Sequence, residues 1–378
     1  MSVARVWLRP YRVPLPEPWP SAEGPVRERA GALLLLEEDE GAVGVGETAP
    51  WPGFGVETIA SSEAALRLAA RRLLGLPREH YLEAIADLPR LAQVASVPCA
   101  RHAVDLALHD IAARHAGVPV SRLLGGGAAL TTVGVNAAIP RLSAAESARA
   151  AADAVARGAR TIKLKVGGRD AKDDAARVSA VREAVGSAVK IRVDANQAWT
   201  EADAVASLRA MATYDLEYCE QPVAADDVEA LARVRAAAGV PIAADEAVRD
   251  LAGARRILDL GAADVLLVKP MALGGLHAAR GIAALAAERG IPVVVTSLLE
   301  GPIGRSGALH LAASLGPGPY DHGIATGVEY DAGVAVEGAL SLAAFGAVPV
   351  PQTPGLGAVI DAETRRGAQL LAAVEALA

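Results

Sequence analysis

Residues 161–270 contain five apolar runs that each end in charge: TIKLKVG (161–167), IRVDAN (191–196), LEYCEQP (216–222), PIAADE (241–246) and DVLLVKP (264–270). Each run is short and strand-like, and Ala-rich stretches with helical spacing lie between the runs. The repeat of about 25–30 residues is the βαβ period. Such units give parallel strands joined by right-handed crossovers. Seven or eight of them close into a (β/α) barrel. Working outward, strands are expected at about 131–139, 161–167, 189–194, 216–220, 241–245, 264–269 and 292–297. Helices are expected over 143–157, 226–238 and 274–289, and a last short strand from His322 to Thr326.

The first part of the chain does not repeat. Residues 3–14 and 31–47 read as strands, the second broken by a turn at Glu40-Gly41, and residues 17–28 read as a mobile loop rich in Pro, Gly and charge. The loop Ala49–Gly55 precedes a helix opening near Glu57-Thr58, and further helices are expected at 79–94 and 99–116. Gly125-Gly126-Gly127 marks a boundary. The expected organisation is an α+β capping domain (1–125), a barrel (126–340) and a C-terminal segment (341–378) that ends in a helix and returns to the cap.

With 378 residues, 52% of them hydrophobic, the chain can build a barrel and a smaller domain. Aromatics are only 3%, so Ala, Leu and Val fill the core. The net charge of −7 argues against nucleic acid as a partner. Cys99 and Cys219 lack paired spacing and read as reduced core thiols. The start has no signal-peptide core, and GALLLLEEDE (31–40) is too short to span a membrane, so a cytoplasmic, soluble protein is expected.

In such barrels the active site lies where strands end. Asp194, Glu220 and Asp245 end three neighbouring runs. Singly, each could cap a helix or pair with a lysine; together they offer the hard oxygen ligands of Mg²⁺, with Mn²⁺ as a substitute. Lys163 and Lys165 flank Leu164 and so share a face. A lysine crowded by a cation loses proton affinity and becomes a usable base. Lys269 should face Lys165 across the mouth, and it could also pair with Glu246 or Asp245. Asn196 either joins the mouth or forms a turn with Gln197. Arg192, lower on the same face as Asp194, is expected to order a carboxylate. Trp51 and Phe54 share one Pro/Gly loop, either as a cover over an apolar ligand or as packing within the cap. The set points to removal of a proton α to the carboxylate of a small molecule, with metal stabilisation of the charge that develops.

On these residues the chain resembles the muconate-lactonizing-enzyme subgroup of the enolase superfamily. The features are an α+β cap, KLK on the second barrel strand, DAN on the third, EQP on the fourth, DE on the fifth and a lysine on the sixth. Paired lysines around such a metal site are a known arrangement of that superfamily. The resemblance implies a modified (β/α)8 TIM barrel, (β/α)7β, with an N-terminal α+β capping domain. It also implies that Asp194, Glu220 and Asp245 are Mg²⁺ ligands, that Lys165 and Lys269 flank the substrate, and that Lys163 tunes Lys165.

Members of the subgroup include muconate cycloisomerases, dipeptide epimerases, N-succinylamino acid racemases and o-succinylbenzoate synthases. Dipeptide epimerases usually carry Asp-x-Asp on the last strand; the stretch from Tyr320 to Gly327 (YDHGIATG) has no such pair, which counts against dipeptides. GETAPWPGFGVET (46–58), TSLLEGPIGRSGALHLAA (296–313) and DHGIATG (321–327) look most like o-succinylbenzoate synthases. That resemblance implies dehydration of the cyclohexadiene carboxylate SHCHC in menaquinone biosynthesis. Lys165 would take the α-proton and return it to the leaving hydroxyl, with the Lys269 ammonium over the ring. The turn from Ser297 to Gly304 opens a helix whose N–H groups suit the succinyl carboxylate. Arg305 is an alternative anchor that reads more simply as solvated, and His322 reads as a structural residue. Gly301-Pro302 after Glu300 departs from the family pattern. A non-catalytic binding barrel would have lost a ligand or a lysine, and all are present. A homo-oligomer is compatible with the sequence.

Overall fold

Alternation and a tight turn build the first sheet. β1 (Val3–Trp19) pairs antiparallel with β2 (Val26–Glu38), which turns through Gly41 into β3 (Val43–Thr48). Gly41 has φ +86°, a conformation that costs glycine little. The computed structural model describes residues 1–19, 25–51, 54–55, 57–167, 171–324, 334–336, 346–360 and 362–374. Much of the expected loop 17–28 is therefore strand, and residues 20–24 lie outside the described residues.

Three helices cover this sheet. α1 (Ile59–Leu73) starts at Thr58, which exchanges hydrogen bonds with Ser61 as a capping box. α2 (Tyr81–Asp87) is shorter than the expected 79–94 helix and gives way to a 3₁₀ turn at Leu88–Arg90. Pro89 lacks the N–H that an α-helix would need there. α3 (Pro98–Ala116) packs so closely on β3 that a Cβ at Gly46 would lie 1.8 Å from the carbonyl oxygen of Ala103.

After α4 (Val120–Gly125) the chain alternates. The elements are β4 (Thr132–Val135), β5 (Ala137–Ile139), α5 (Ala144–Ala156), β6 (Thr161–Lys165), α6 (Ala171–Val185), β7 (Lys190–Asp194), α7 (Glu201–Met211) and β8 (Leu216–Glu220). They continue as α8 (Val228–Ala238), β9 (Ile242–Ala244), α9 (Leu251–Asp259), β10 (Val265–Val268), α10 (Pro270–Leu273), α11 (Leu276–Glu288), β11 (Val293–Val295) and α12 (Pro302–Ser314). The seven strands from β5 to β11 form one parallel sheet in sequence order. Val265–Val268 is buried at every position, as expected for a sheet covered on both faces.

The sheet closes through the expected last strand. His322 bridges to Val135 and Gly323 to Thr296, both parallel. Asn136 N donates to His322 O at 2.9 Å, and Gly323 N donates to Val295 O at 2.9 Å. The fold is thus the modified (β/α)7β barrel with an N-terminal α+β domain; Ala325 and Thr326 lie outside the described residues.

β12 (Val334–Val336), β13 (Gly346–Pro349), β14 (Ala358–Ile360), α13 (Ala362–Arg366) and β15 (Gln369–Ala373) follow. β13 pairs with β4, and β15 pairs antiparallel with β1 at the edge of the cap sheet. The expected terminal helix is therefore a short helix and then a strand. The open edge of β1 supplies backbone partners that a local propensity reading does not see.

Candidate active site

Parallel register brings the charged strand ends together. Lys165 pairs with Asp194, and Asp194 with Glu220, so three charged groups stand side by side on β6, β7 and β8. Glu220 pairs with Ala243, which places Asp245 one pleat further along, and Lys269 follows the end of β10. This stagger is the tilt of a closed barrel. Just beyond the acids the backbone turns sharply: Asn196, Gln197 and Gln221 have φ of 43°, 66° and 36°. Such left-handed residues are uncommon outside glycine and cluster at functional sites. The side-chain oxygen of Gln221 accepts from Asp245 N at 3.0 Å and Ala247 N at 3.2 Å, which fixes the end of β9.

Ammonium and carboxylate groups alternate across the mouth. Lys163 Nζ lies 2.9 Å from Asp194 and 2.7 Å from Glu220. Lys165 Nζ donates to Asp194 at 2.6 Å and to Asn196 Oδ1 at 2.5 Å, while Lys269 donates to Asp245. Asn196 Nδ2 donates to Glu246 Oε1 at 3.0 Å, so Asn196 links Lys165 to Glu246. Asn196 N also donates to Asp194 Oδ1 at 3.0 Å, which joins the turn and mouth readings of this residue.

The charges are unequal in their comfort. Burial pushes Asp194 up, but Lys163 and Lys165 outweigh it and hold the carboxyl well below its usual range. Burial and then the Asp194 charge push Glu220 up to about 8. Burial likewise raises Asp245 and Glu246. Lys163 and Lys269 lose affinity for a proton by burial and regain more from the carboxylates around them, so both stand above an ordinary lysine. The expected lowering of lysine proton affinity needs a cation that takes up the carboxylate charge.

The donor set suits such a cation. Asp194, Glu220 and Asp245 are buried hard-oxygen donors on adjacent strands. Among the described residues, Glu220 Oε2 meets Lys163 as an ion-pair contact without a hydrogen bond, and Glu246 Oε2 has no donor. Among the described residues no group of three or more Asp, Glu, His or Cys side chains closes around a common point. The lysine ammonium groups hold the carboxylates instead.

Several expected residues have other partners. Arg192 is fully buried and orders the Glu217 carboxylate at 2.5 Å, and it also donates to Asn136 Oδ1 at 3.2 Å and Asp321 O at 2.7 Å. A register shift between Ile191 and Arg192 leaves Glu217 unpaired in the ladder, as in a β-bulge. The Ser297 hydroxyl donates to Ile324 O at 3.0 Å and is therefore not directed to an anion. Gly304 N is engaged as well, by Glu47 Oε2 at 2.7 Å. Arg305 is buried rather than solvated, and its Nε and Nη1 have no hydrogen-bond partner among the described residues. His322 accepts from Val295 N at 2.9 Å and is structural. Cys99 and Cys219 are buried free thiols.

Phe54 does reach the mouth: its ring centroid lies 4.7 Å from Lys269 Nζ, and it packs with Trp51, Met271 and Leu298. The residues that seat this apolar cluster went unread in the sequence. Glu47 from β3 accepts from Gly301 N at 2.6 Å, from Gly304 N and from the Tyr11 hydroxyl. It therefore fills the α12 N-terminus at which the succinyl carboxylate was expected. Arg29 from β2 binds carbonyls of both domains. GETAPW holds Glu47 in plain view, but no local spacing says that its partner is a helix end of the barrel.

A closed barrel with acids on three adjacent strands, lysines on either side and an α+β cap over the mouth defines an enolase-type enzyme fold. The sequence pattern "Enolase C-terminal domain-like" matches residues 146–364, and "Mandelate racemase / muconate lactonizing enzyme, N-terminal domain" matches residues 4–125. The chain belongs to the enolase superfamily, in its muconate-lactonizing-enzyme subgroup. The N-succinyl-L-Arg/Lys racemase of Bacillus cereus is 32% identical over 83% of this chain and 85% of its own length. The o-succinylbenzoate synthase of Thermobifida fusca is 43% identical over 52% of this chain and 60% of its own. The structure of the dipeptide epimerase from Enterococcus faecalis V583, complexed with Mg and the dipeptide L-Leu-L-Tyr, superposes with a TM-score of 0.87. It is 32% identical and covers 95% of this chain and 99% of that one. No helix among the described residues is long and apolar enough to cross a membrane.

Proposed function

We propose that this chain is an o-succinylbenzoate synthase, a Mg²⁺-dependent lyase that dehydrates SHCHC. The observation that carries the reading is the placement of Lys165 and Lys269 on opposite sides of the Asp194, Glu220 and Asp245 row, with the Phe54 ring over Lys269. Asp194, Glu220 and Asp245 would hold the metal, which supplies fixed positive charge where the substrate carboxylate gains negative charge.

Lys165 Nζ removes the proton α to that carboxylate. The Lys269 ammonium stands on the opposite side and favours the charge that develops on the ring. Lys165 then gives the proton to the leaving hydroxyl on its own side, so one C–H and one C–O bond break and water departs. Lys163 lies between Asp194 and Glu220 and shares the Asp194 carboxylate with Lys165, so its charge bears on the base. Asn196 holds Lys165 in place through its side-chain oxygen.

Two observations favour this substrate over a dipeptide. The likeness to the Thermobifida fusca synthase has the higher identity, although over half of the chain. Asp321 does not line the mouth: its carboxylate accepts from Thr161 Oγ1 at 2.9 Å and Arg160 at 3.3 Å. A substrate ammonium therefore finds no Asp-x-Asp pair among the described residues. The second reading is racemisation of N-succinylamino acids with Lys165 and Lys269 as opposed bases. The longer alignment with the Bacillus cereus racemase favours it.

A progress curve on SHCHC, with Mg²⁺ and then with EDTA, tests the proposal. The expected result is Mg²⁺-dependent conversion to o-succinylbenzoate. Folded protein that leaves SHCHC unchanged while racemising N-succinylamino acids would replace the first reading with the second.

A further inference from the structure

We infer that Arg29, a cap residue outside the mouth, is a positioning residue that fixes the Phe54 ring over Lys269. The consequence for turnover rests on the proposed role of Lys269; the joint itself does not.

Arg29 is 1% exposed, and among the described residues its hydrogen bonds go to main-chain carbonyls and its ring contact to Trp51. Its Nε donates to Leu299 O at 2.9 Å and its Nη2 reaches Leu298 O at 3.5 Å, both on the loop that follows β11. Its Nη1 donates to Pro50 O at 3.0 Å and its Nη2 to Ala49 O at 2.7 Å, on the cap segment that leads to Trp51 and Phe54. The guanidinium also lies 5.0 Å from the Trp51 ring centroid. One planar fork thus joins a cap segment to a barrel loop, and only a guanidinium presents enough fixed donors to do so.

Glu47 makes the reciprocal bond. It is fully buried, two residues before Ala49, and takes the N–H groups of Gly301 and Gly304 on the same barrel loop and helix. A Cβ at Gly301 would lie 2.4 Å from Glu47 Oε1, so the approach needs glycine there. The barrel backbone thus meets two buried cap charges of opposite sign, Arg29 through carbonyls and Glu47 through N–H groups. Buried charge is expensive unless fully hydrogen-bonded, and the return for that cost is a defined geometry. Leu299 is held at φ 58°, a strained value that the Arg29 bond to its carbonyl helps to maintain.

The geometry is passed to the site through the cluster of Trp51, Phe54, Met271 and Leu298. Phe54 comes four residues after Pro50, and its ring lies 4.7 Å from Lys269 Nζ. Loss of the fork frees the segment, and with it the roof of the lysine.

The test uses the full chain with Arg29→Lys and Arg29→Met, Phe54→Ala, and the double variant Arg29→Lys/Phe54→Ala. Arg29→Lys keeps the charge but offers no planar fork, so it guards against a folding failure in Arg29→Met. Chymotrypsin cutting after Phe54 reads the position of the segment without any substrate. We expect Arg29→Lys to be cut about tenfold faster than the parent, and its kcat/KM to fall about tenfold, mostly through KM. On the Phe54→Ala background the same Arg29 change should cost little further, because the two act in series. Parental cutting rates in both Arg29 variants, or a full additional loss in the double variant, would overturn the inference. If the parent turned over neither SHCHC nor an N-succinylamino acid, the proposed function would fail, and the cutting rates alone would still decide on Arg29.

Discussion

Replacing Glu47 by glutamine should destabilise the joint between cap and barrel by about 2–4 kcal/mol, from an orphaned N–H and a lost charge at a helix end. The carboxylate of Glu47 receives three donors: Gly301 N at 2.6 Å and the Tyr11 hydroxyl at Oε1, and Gly304 N at 2.7 Å at Oε2. Glutamine keeps the shape but has one acceptor oxygen. Placed at the Oε1 position, that oxygen retains Gly301 and Tyr11, and the amide NH₂ then faces Gly304 N, donor against donor. An orphaned buried N–H costs about 1–3 kcal/mol. Loss of a negative charge at the α12 N-terminus adds about 0.3–1 kcal/mol, and up to about 2 where buried. Relief of the desolvation of Glu47 returns part of this, but removing one side of a buried, fully bonded charge is ordinarily a net loss. Urea unfolding measures the total, and hydrogen exchange at Gly301 and Gly304 localises it. The Gly304 amide should lose the most protection. A change below about 0.5 kcal/mol, within the range of ordinary surface substitutions, would refute this account of the joint.

Three further outcomes are expected. Lys165→Ala should lower turnover about 10³-fold or more while Mg²⁺ binding, read by calorimetry, persists; activity near the parent would remove Lys165 as the base. Asp245→Asn should raise the Mg²⁺ concentration for half-maximal activity about 10–100-fold, and an unchanged titration would take Asp245 out of the ligand set. His310 is pushed down to about 4 by burial, and its Nδ1 accepts from Ser121 N at 3.1 Å, so it is neutral in the fold. The unfolded chain binds the proton first as pH falls, so this stability is complete above about pH 6.5 and is lost toward pH 4, about 3 kcal/mol in all. Unfolding curves for the parent and His310→Gln should therefore converge with falling pH across that window; a constant gap would contradict the burial argument.

The mouth was legible because its information is local. A strand that ends in charge, repeated at the βαβ period, states both the barrel and the end on which its chemistry sits. Parallel register then sets Lys165, Asp194 and Glu220 side by side with no contribution from distant sequence. The same logic placed α3 and the three barrel helices α5, α8 and α11 within a residue or two. It misjudged the chain end, where Gln369–Ala373 becomes a strand because β1 offers an open edge. For Arg192 it gave a carboxylate partner but not which one, because the place of Glu217 depends on a bulge that apolar patterning does not reveal.

What the sequence determined by itself, then, is the barrel and the row of charges at its mouth, since period and alternation fix which face a side chain takes. What only the tertiary structure decided is which distant groups meet on those faces. Glu47 and Gly304 lie 257 residues apart, and Arg29 and Leu299 lie 270 apart. Such pairings arise from the docking of one domain on another, and a periodic pattern records a direction but not a partner. For that reason the α12 N-terminus read as a place for the substrate's distal carboxylate, and the protein's own Glu47 occupies it.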